Sequence, residues 1–277
     1  MKRSGRGTSA RWLTIYAVAY MVFLYAPVVL LPLFAFNDAT VVAFPLSGFT
    51  TDWFAALWRT EALVDAVRNS LVVAVAAAVL ATTLGASAAR AAARYRFPGK
   101  GPVMGFIMLP LVLPEIIVAV ALLVPIMQLG LSLSLWTVIA GHVLICIPFS
   151  IAILSSAFQG LDISLEEASL DLEESRWGTF RRVTLPLVMP GVISSLLICF
   201  TISLDEFMIA FFLTGTEVTL PVYIWSQLRF PTKLPSIMAL GTLLLALSIV
   251  LLVVAEWLRR RAARRQGIEA SAIGGLM

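Results

Sequence analysis

Residues 160–190 read GLDISLEEASLDLEESRWGTFRRVTLPLVMP. This charge-rich stretch sits between two runs too apolar to live in water, so it must project from a membrane. Leu161, Leu165, Ala168 and Leu172 recur at helical spacing and predict an apolar stripe, with Glu166, Glu167, Asp171 and Glu173 on the acidic side. Asp162 or Ser164 can cap the helix start. The pattern restarts at Trp177, Phe180 and Val183 and turns basic at Arg181 and Arg182. It is expected to stop at Pro186, which lacks the backbone donor a helix needs. Two short helices joined at an angle follow from this pattern. Periodicity alone leaves open whether they form a contact element or an ordinary solvated loop.

The flanks define the class. Of the 277 residues, 60% are hydrophobic and 13% charged, with a mean hydropathy of +0.95. Such a chain is an all-α integral membrane protein rather than a soluble one. A crossing needs about 20 apolar residues, and six candidates are found, at 12–36, 70–93, 102–129, 135–158, 187–213 and 237–257. The first is too long for a removable signal peptide and lacks a small-residue cleavage pattern, so it is expected to be retained.

Sixteen of the 20 lysines and arginines fall in the N-terminal tail, the second-to-third connection, the 160–190 loop and the C-terminal tail. The bias puts both termini and that loop on the cytoplasmic side. One membrane domain is expected over 12–258, between cytoplasmic tails at 1–11 and 259–277. The tail arginines from Arg259 to Arg265 serve as a topological anchor, with Glu256 pairing to Arg259 or Arg260 at helical spacing. On the outer side, Trp53, Phe54, Leu57 and Trp58 predict a short interfacial helix. The connection at 214–235, with Glu217, Trp225 and Arg229, offers a second outer segment. Both are partner surfaces or structural caps.

Three carboxylates lie where lipid should forbid them: Glu115 in LPLVLPEIIVA, and Asp205 and Glu206 in FTISLDEFMIA. Intramembrane acids face a bundle interior or a water-filled route. Pro110 and Pro114 predict a bent or opened helix just before Glu115. The spans hold no lysine or arginine at similar depth, and His142 alone cannot match three acids. A pathway for a cation fits this pattern, and interhelical hydrogen bonding or a second membrane subunit are the alternatives. Phe200, Phe207, Phe211 and Phe212 could add cation–π attraction or simply pack.

The chain has no phosphate-binding loop, no H-E-x-x-H and no G-x-S-x-G turn, which excludes the corresponding enzymes. Any ATP hydrolysis must come from another subunit. Cys146 and Cys199 lack metal-ligand spacing and, like His142, are expected to be packing residues, leaving no metal site and no catalytic residue.

Glu167-Ala168-Ser169, followed by Phe180, Thr184, Leu185 and Pro186, resembles the EAA loop of bacterial ABC importer permeases. The likeness extends through LYAPVVLLPLFAFNDA, GFTTDWF, RYRFPGKG, FTISLDEF and TLPVYIWSQLR, and on these stretches the chain is similar to the PotC-type spermidine/putrescine permease family. The resemblance implies a six-span subunit of the bacterial inner membrane. A homologous second permease, an ATPase dimer and a periplasmic substrate-binding protein would be its partners, with no nucleic acid among them. It implies alternating access driven by ATP and Mg on the ATPase, with no cofactor on this chain. It makes 160–190 a cytoplasmic coupling-helix loop, with Glu166, Glu167, Ala168, Ser169, Asp171, Phe180 and Pro186 as the ATPase-coupling residues. Glu115, Asp205 and Glu206 would line the substrate pathway. The chain departs from the family at Glu173-Glu174, where Gly-Ala is usual. Glycine there would supply a turn or a close approach, which glutamate is not expected to do. Another organic cation or small solute, an ATPase-independent channel and a membrane scaffold remain the alternatives.

Overall fold

The computed structural model describes residues 6–265, with side chains at 11–250 and 253. The expected tail segments 1–5 and 266–277, and the pairing of Glu256, lie outside the described residues and side chains. In chain order the helices are α1 Arg6–Ala35, α2 Asp52–Trp58, α3 Glu61–Arg94, α4 Lys100–Ile107, α5 Glu115–Gln128 and α6 Leu135–Gln159. They continue with α7 Ile163–Asp171, α8 Arg176–Thr179, α9 Leu185–Asp205, α10 Met208–Leu213, α11 Leu220–Gln227 and α12 Leu234–Arg265. Among the described residues, extended pairing is limited to one bridge, Asn37 with Phe49.

Among the described residues, five helical stretches are long and apolar enough to cross a bilayer: Arg11–Ala35, Glu61–Arg94, Leu135–Gln159, Arg176–Asp205 and Pro231–Val250. The run at 102–129, expected as one span, is instead α4, a 3-10 turn Leu109–Leu111 and α5. Pro110 sits in that turn and Pro114 takes extended angles just ahead of α5. Each proline denies the helix a donor and biases the preceding residue out of it, so two in five residues separate the pieces.

The chain divides into two compact units. One contains α1, α2 and α12. Its α1 keeps apolar side chains open, with Trp12 and Tyr16 each 71% exposed, as suits a helix bathed in hydrocarbon. Asn37 organises the following loop. Its side-chain oxygen accepts the Ser47 amide at 3.1 Å, and its carbonyl accepts Trp53 Nε1 at 2.8 Å. The expected short helix is α2, with Leu57 buried, Trp53 and Phe54 half-buried and Trp58 78% exposed. So short a helix buries one narrow strip, here Trp53 and Leu57 one turn apart, and Trp58 falls about 100° round from Leu57.

The other unit, Glu61–Ser226, is centred on α3, α6 and α9. Ala74, Ala77, Ala78, Ala81, Gly85 and Ala89 form the buried stripe of α3. At Gly85 the approach is so close that a β-carbon would overlap Ser150 Oγ on α6. Polar rungs then cross the helix contacts. Ser195 Oγ donates to Ser150 Oγ at 2.9 Å and shares a 3.0 Å hydrogen bond with Thr82. Cys146 and Cys199 each direct a thiol to the other's backbone carbonyl, at 3.5 and 3.6 Å, and His142 Nδ1 meets Ser203 Oγ at 2.7 Å. Pairing polar groups across helices is what an apolar surround requires.

The expected stop at Pro186 does not occur. A π turn at Phe180–Thr184 joins α8 to α9, and Arg176–Asp205 runs as one 30-residue helix. The π turn lies directly ahead of Pro186, the second residue of α9, and its wider winding lets the helix pass the proline without a break.

Candidate functional site

Two regions of the Glu61–Ser226 unit carry the residues singled out above. The first is the acid cluster where α5 and α10 begin. Glu115 is the first residue of α5, and its side chain is exposed on the surface of the chain. Helix α9 ends at Asp205, Glu206 takes extended angles, and α10 starts at Met208. The interruption has a local cause: the Glu206 carboxylate accepts the Ile209 backbone N–H at 2.6 Å, replacing a helical carbonyl. The expected continuous span at 187–213 is therefore two helices.

The structure treats the three acids differently. Glu206 is 7% exposed and satisfied within the chain, whereas Asp205 and Glu115 are exposed and make no ion pair among the described residues. Helix α5, which Glu115 opens, packs on α10, which the Glu206 carboxylate caps. Asp205 makes no hydrogen bond or ion pair with either acid among the described residues. Beside Glu206, the Phe207 ring stands 5.4 Å from Phe211 and 5.5 Å from Trp225. Phe200 and Phe212 pack against the core. Trp225 was singled out only as part of the outer 214–235 segment; its approach to Phe207 was not legible, because the two are distant in sequence.

The second region is the 160–190 loop. Asp162 caps α7, accepting the Ser164 amide at 3.0 Å, and that amide holds the Asp162 carboxyl below its usual range. Ser175 caps α8 through the Gly178 amide at 3.0 Å. Between them Glu173 adopts φ 62°, the left-handed turn conformation that glycine takes freely. Glutamate does provide the turn after all, at a cost of about 1–2 kcal/mol. Glu174 pairs with Arg182 at 2.5 Å.

The side chains of α7 divide between an open apolar stripe and a polar side held against the chain. Leu165 and Leu172 of the apolar stripe are 45% and 83% exposed, and Ala168 is exposed too. The inward side is polar. Glu166 accepts Arg94 Nε at 3.0 Å on one oxygen and the Thr184 hydroxyl at 2.7 Å on the other. Ser169 and Thr179 share a 3.0 Å hydrogen bond, and Phe180 lies under the Arg90 guanidinium, 4.4 Å from ring centroid to central carbon. The seven residues expected at the ATPase contact thus fall into two sets. Glu167, Ala168, Asp171 and Pro186 are exposed; Glu166, Ser169 and Phe180 fasten the loop to its own chain. Arg90, Arg94 and Thr184 belong to the same cluster. The two arginines looked like topological charges only, because their loop partners are distant in sequence.

Residues 81–265 match the family of binding-protein-dependent transport system inner membrane components. The chain is 34% identical over 253 residues to the spermidine/putrescine transport system permease protein PotC of Shigella flexneri, covering 91% of this chain and 95% of that one. It is also 34% identical over 273 residues to the putrescine transport system permease protein PotI of Escherichia coli K12, covering 92% and 93%. The fold is similar to that of a chain in a bacterial ABC transporter involved in the import of the acidic polysaccharide alginate. The TM-score is 0.69 at 15% identity, covering 94% of this chain and 99% of that one.

Proposed function

The chain belongs to the family of binding-protein-dependent transport system inner membrane components, and from that premise we propose that it is the permease subunit of an ATP-driven polyamine importer. It is a transport subunit, not an enzyme. It works in the inner membrane with both termini and the 160–190 loop cytoplasmic. A homologous second permease, an ATPase dimer and a periplasmic substrate-binding protein complete the assembly, and ATP and Mg act on the ATPase.

The observation that carries the coupling role is the outward face of the loop. Ile163, Leu165, Leu170, Leu172 and Trp177 are between 42% and 83% exposed, beside exposed Glu167 and Asp171. Ile163, Leu170 and Trp177 line one groove with Glu167, and Leu165 and Leu172 lie open on the opposite side of α7; apolar side chains left open outside the hydrocarbon are covered by protein rather than lipid. The loop docks there on the ATPase, whose closure on ATP opens the route outward and whose hydrolysis resets it. Polyamine specificity is supported by the PotC and PotI similarity and by intramembrane charge of the right sign. Glu115 and Asp205 keep carboxylates uncovered, and a carboxylate replaces part of the hydration an ammonium loses. Glu206 shapes the site by starting α10 and adds its negative charge from below the surface.

The test is uptake of labelled spermidine and putrescine by proteoliposomes holding this chain with its second permease and ATPase, fed by the loaded binding protein. ATP-dependent uptake that falls in Glu115→Gln and Asp205→Asn supports the assignment; uptake unchanged in both removes the pathway role.

A further inference from the structure

We propose that Arg94 is a positioning residue that ties the 160–190 loop to α3, so that motion imposed on the loop enters the membrane unit through α3 as well as α9. The inference rests on the reading of that loop as the ATPase-docking element. With 34 residues, α3 is about 51 Å long, well beyond the ~30 Å hydrocarbon thickness. Its last turn, residues 90–94, stands among the loop residues.

Arg94 is the last residue of α3. Its Nε donates to Glu166 Oε2 at 3.0 Å, and its terminal nitrogen reaches the Leu161 carbonyl at 3.5 Å. The other Glu166 oxygen accepts from Thr184, in the π turn that leads into α9. One carboxylate thus joins three elements: the end of α3, α7 and the root of α9. One turn earlier on α3, Arg90 lies over Phe180, so the entry and the exit of the loop are both held by the same helix end. The Arg94 and Glu166 side chains are only 11% and 13% exposed, so water does little to screen the pair. Because α3 packs along both α6 and α9, a loop fastened to it cannot shift without carrying the centre of the unit.

The role assigned here to Glu166 differs from docking, which is left to its exposed neighbour Glu167. A carboxylate that spends both oxygens on its own chain has little left for a partner.

The experiment uses the assembled complex in proteoliposomes and compares Arg94→Ala, Thr184→Val and the exchanged pair Arg94→Glu with Glu166→Arg. Three quantities are read: ATPase retained in a pull-down, uptake per ATP hydrolysed, and amide hydrogen exchange across residues 161–184. Arg94→Ala should keep the ATPase bound, lower uptake per ATP by about tenfold and speed exchange at both ends of the loop. Thr184→Val, which removes only one hydroxyl, should lower the ratio about threefold. The exchanged pair should recover at least about half of the loss, because the attraction is restored with its direction reversed. Wild-type uptake per ATP and unchanged exchange in Arg94→Ala overturn the inference while leaving the docking role standing. Should Arg94→Ala fail to accumulate, Thr184→Val with wild-type values in all three readouts overturns it equally. A wild-type complex that does not bind the ATPase overturns the underlying reading instead.

Discussion

Glu206 turns its carboxylate to the Ile209 backbone N–H at 2.6 Å, while the adjacent Asp205 remains exposed and unpaired among the described residues. Two neighbouring acids therefore do different work. Glu206→Ala should lower the stability of the detergent-purified chain by about 1–3 kcal/mol, since it removes a charge-assisted hydrogen bond to a buried amide. Asp205→Asn should leave thermal unfolding almost unchanged and reduce polyamine uptake. Equal loss of stability in both variants would contradict the division.

Glu173 holds φ 62°, so Glu173→Gly relieves a left-handed glutamate. The variant should be more stable by about 0.5–1 kcal/mol, net of the extra freedom glycine has when unfolded. Slower proteolytic cleavage of the loop is the convenient measure. Glu173→Pro, whose ring forbids that angle, should be cleaved faster than the parent.

Gly85 and Gly105 are both helical, yet a β-carbon at Gly85 would overlap Ser150 Oγ whereas one at Gly105 meets nothing within 4 Å. Gly85→Ala should cost about 1–3 kcal/mol through forced separation of α3 and α6. Gly105→Ala should be neutral or stabilising by up to about 1 kcal/mol, as helix propensity favours alanine. Paired thermal unfolding curves decide it.

Glu167 is exposed beside the apolar face of α7. Reversing its charge, Glu167→Lys, should weaken capture of the ATPase without altering the melting temperature of the isolated chain. Full ATPase retention by the variant would remove Glu167 from the contact.

Much of this was legible in the residues. Long apolar runs announced their helices, the Asp162 cap lay where its side chain could reach an amide two residues on, and Pro110 with Pro114 marked a real break. What escaped depended on partners distant in the chain or outside it. Periodicity marked the stripe of Leu165, Ala168 and Leu172 but did not decide which side of α7 the chain would hold. Glu166 is drawn in by Arg94, 72 residues away, leaving the leucines uncovered. Glu206 carries the same composition signal as Asp205, and only the path of the backbone distinguishes a cap from an open carboxylate. The passage through Pro186 depended on a π turn, which no periodicity announces because its wider winding is confined to a few residues.

That unbroken rod from Arg176 to Asp205, 30 residues and so about 45 Å long, has the dimensions of a lever. If its loop end is the fulcrum, a 5° tilt swings Asp205 by about 4 Å. Such a displacement is comparable to the width of a methylene chain, enough to widen or pinch a passage for a slender molecule without unwinding a single helical turn.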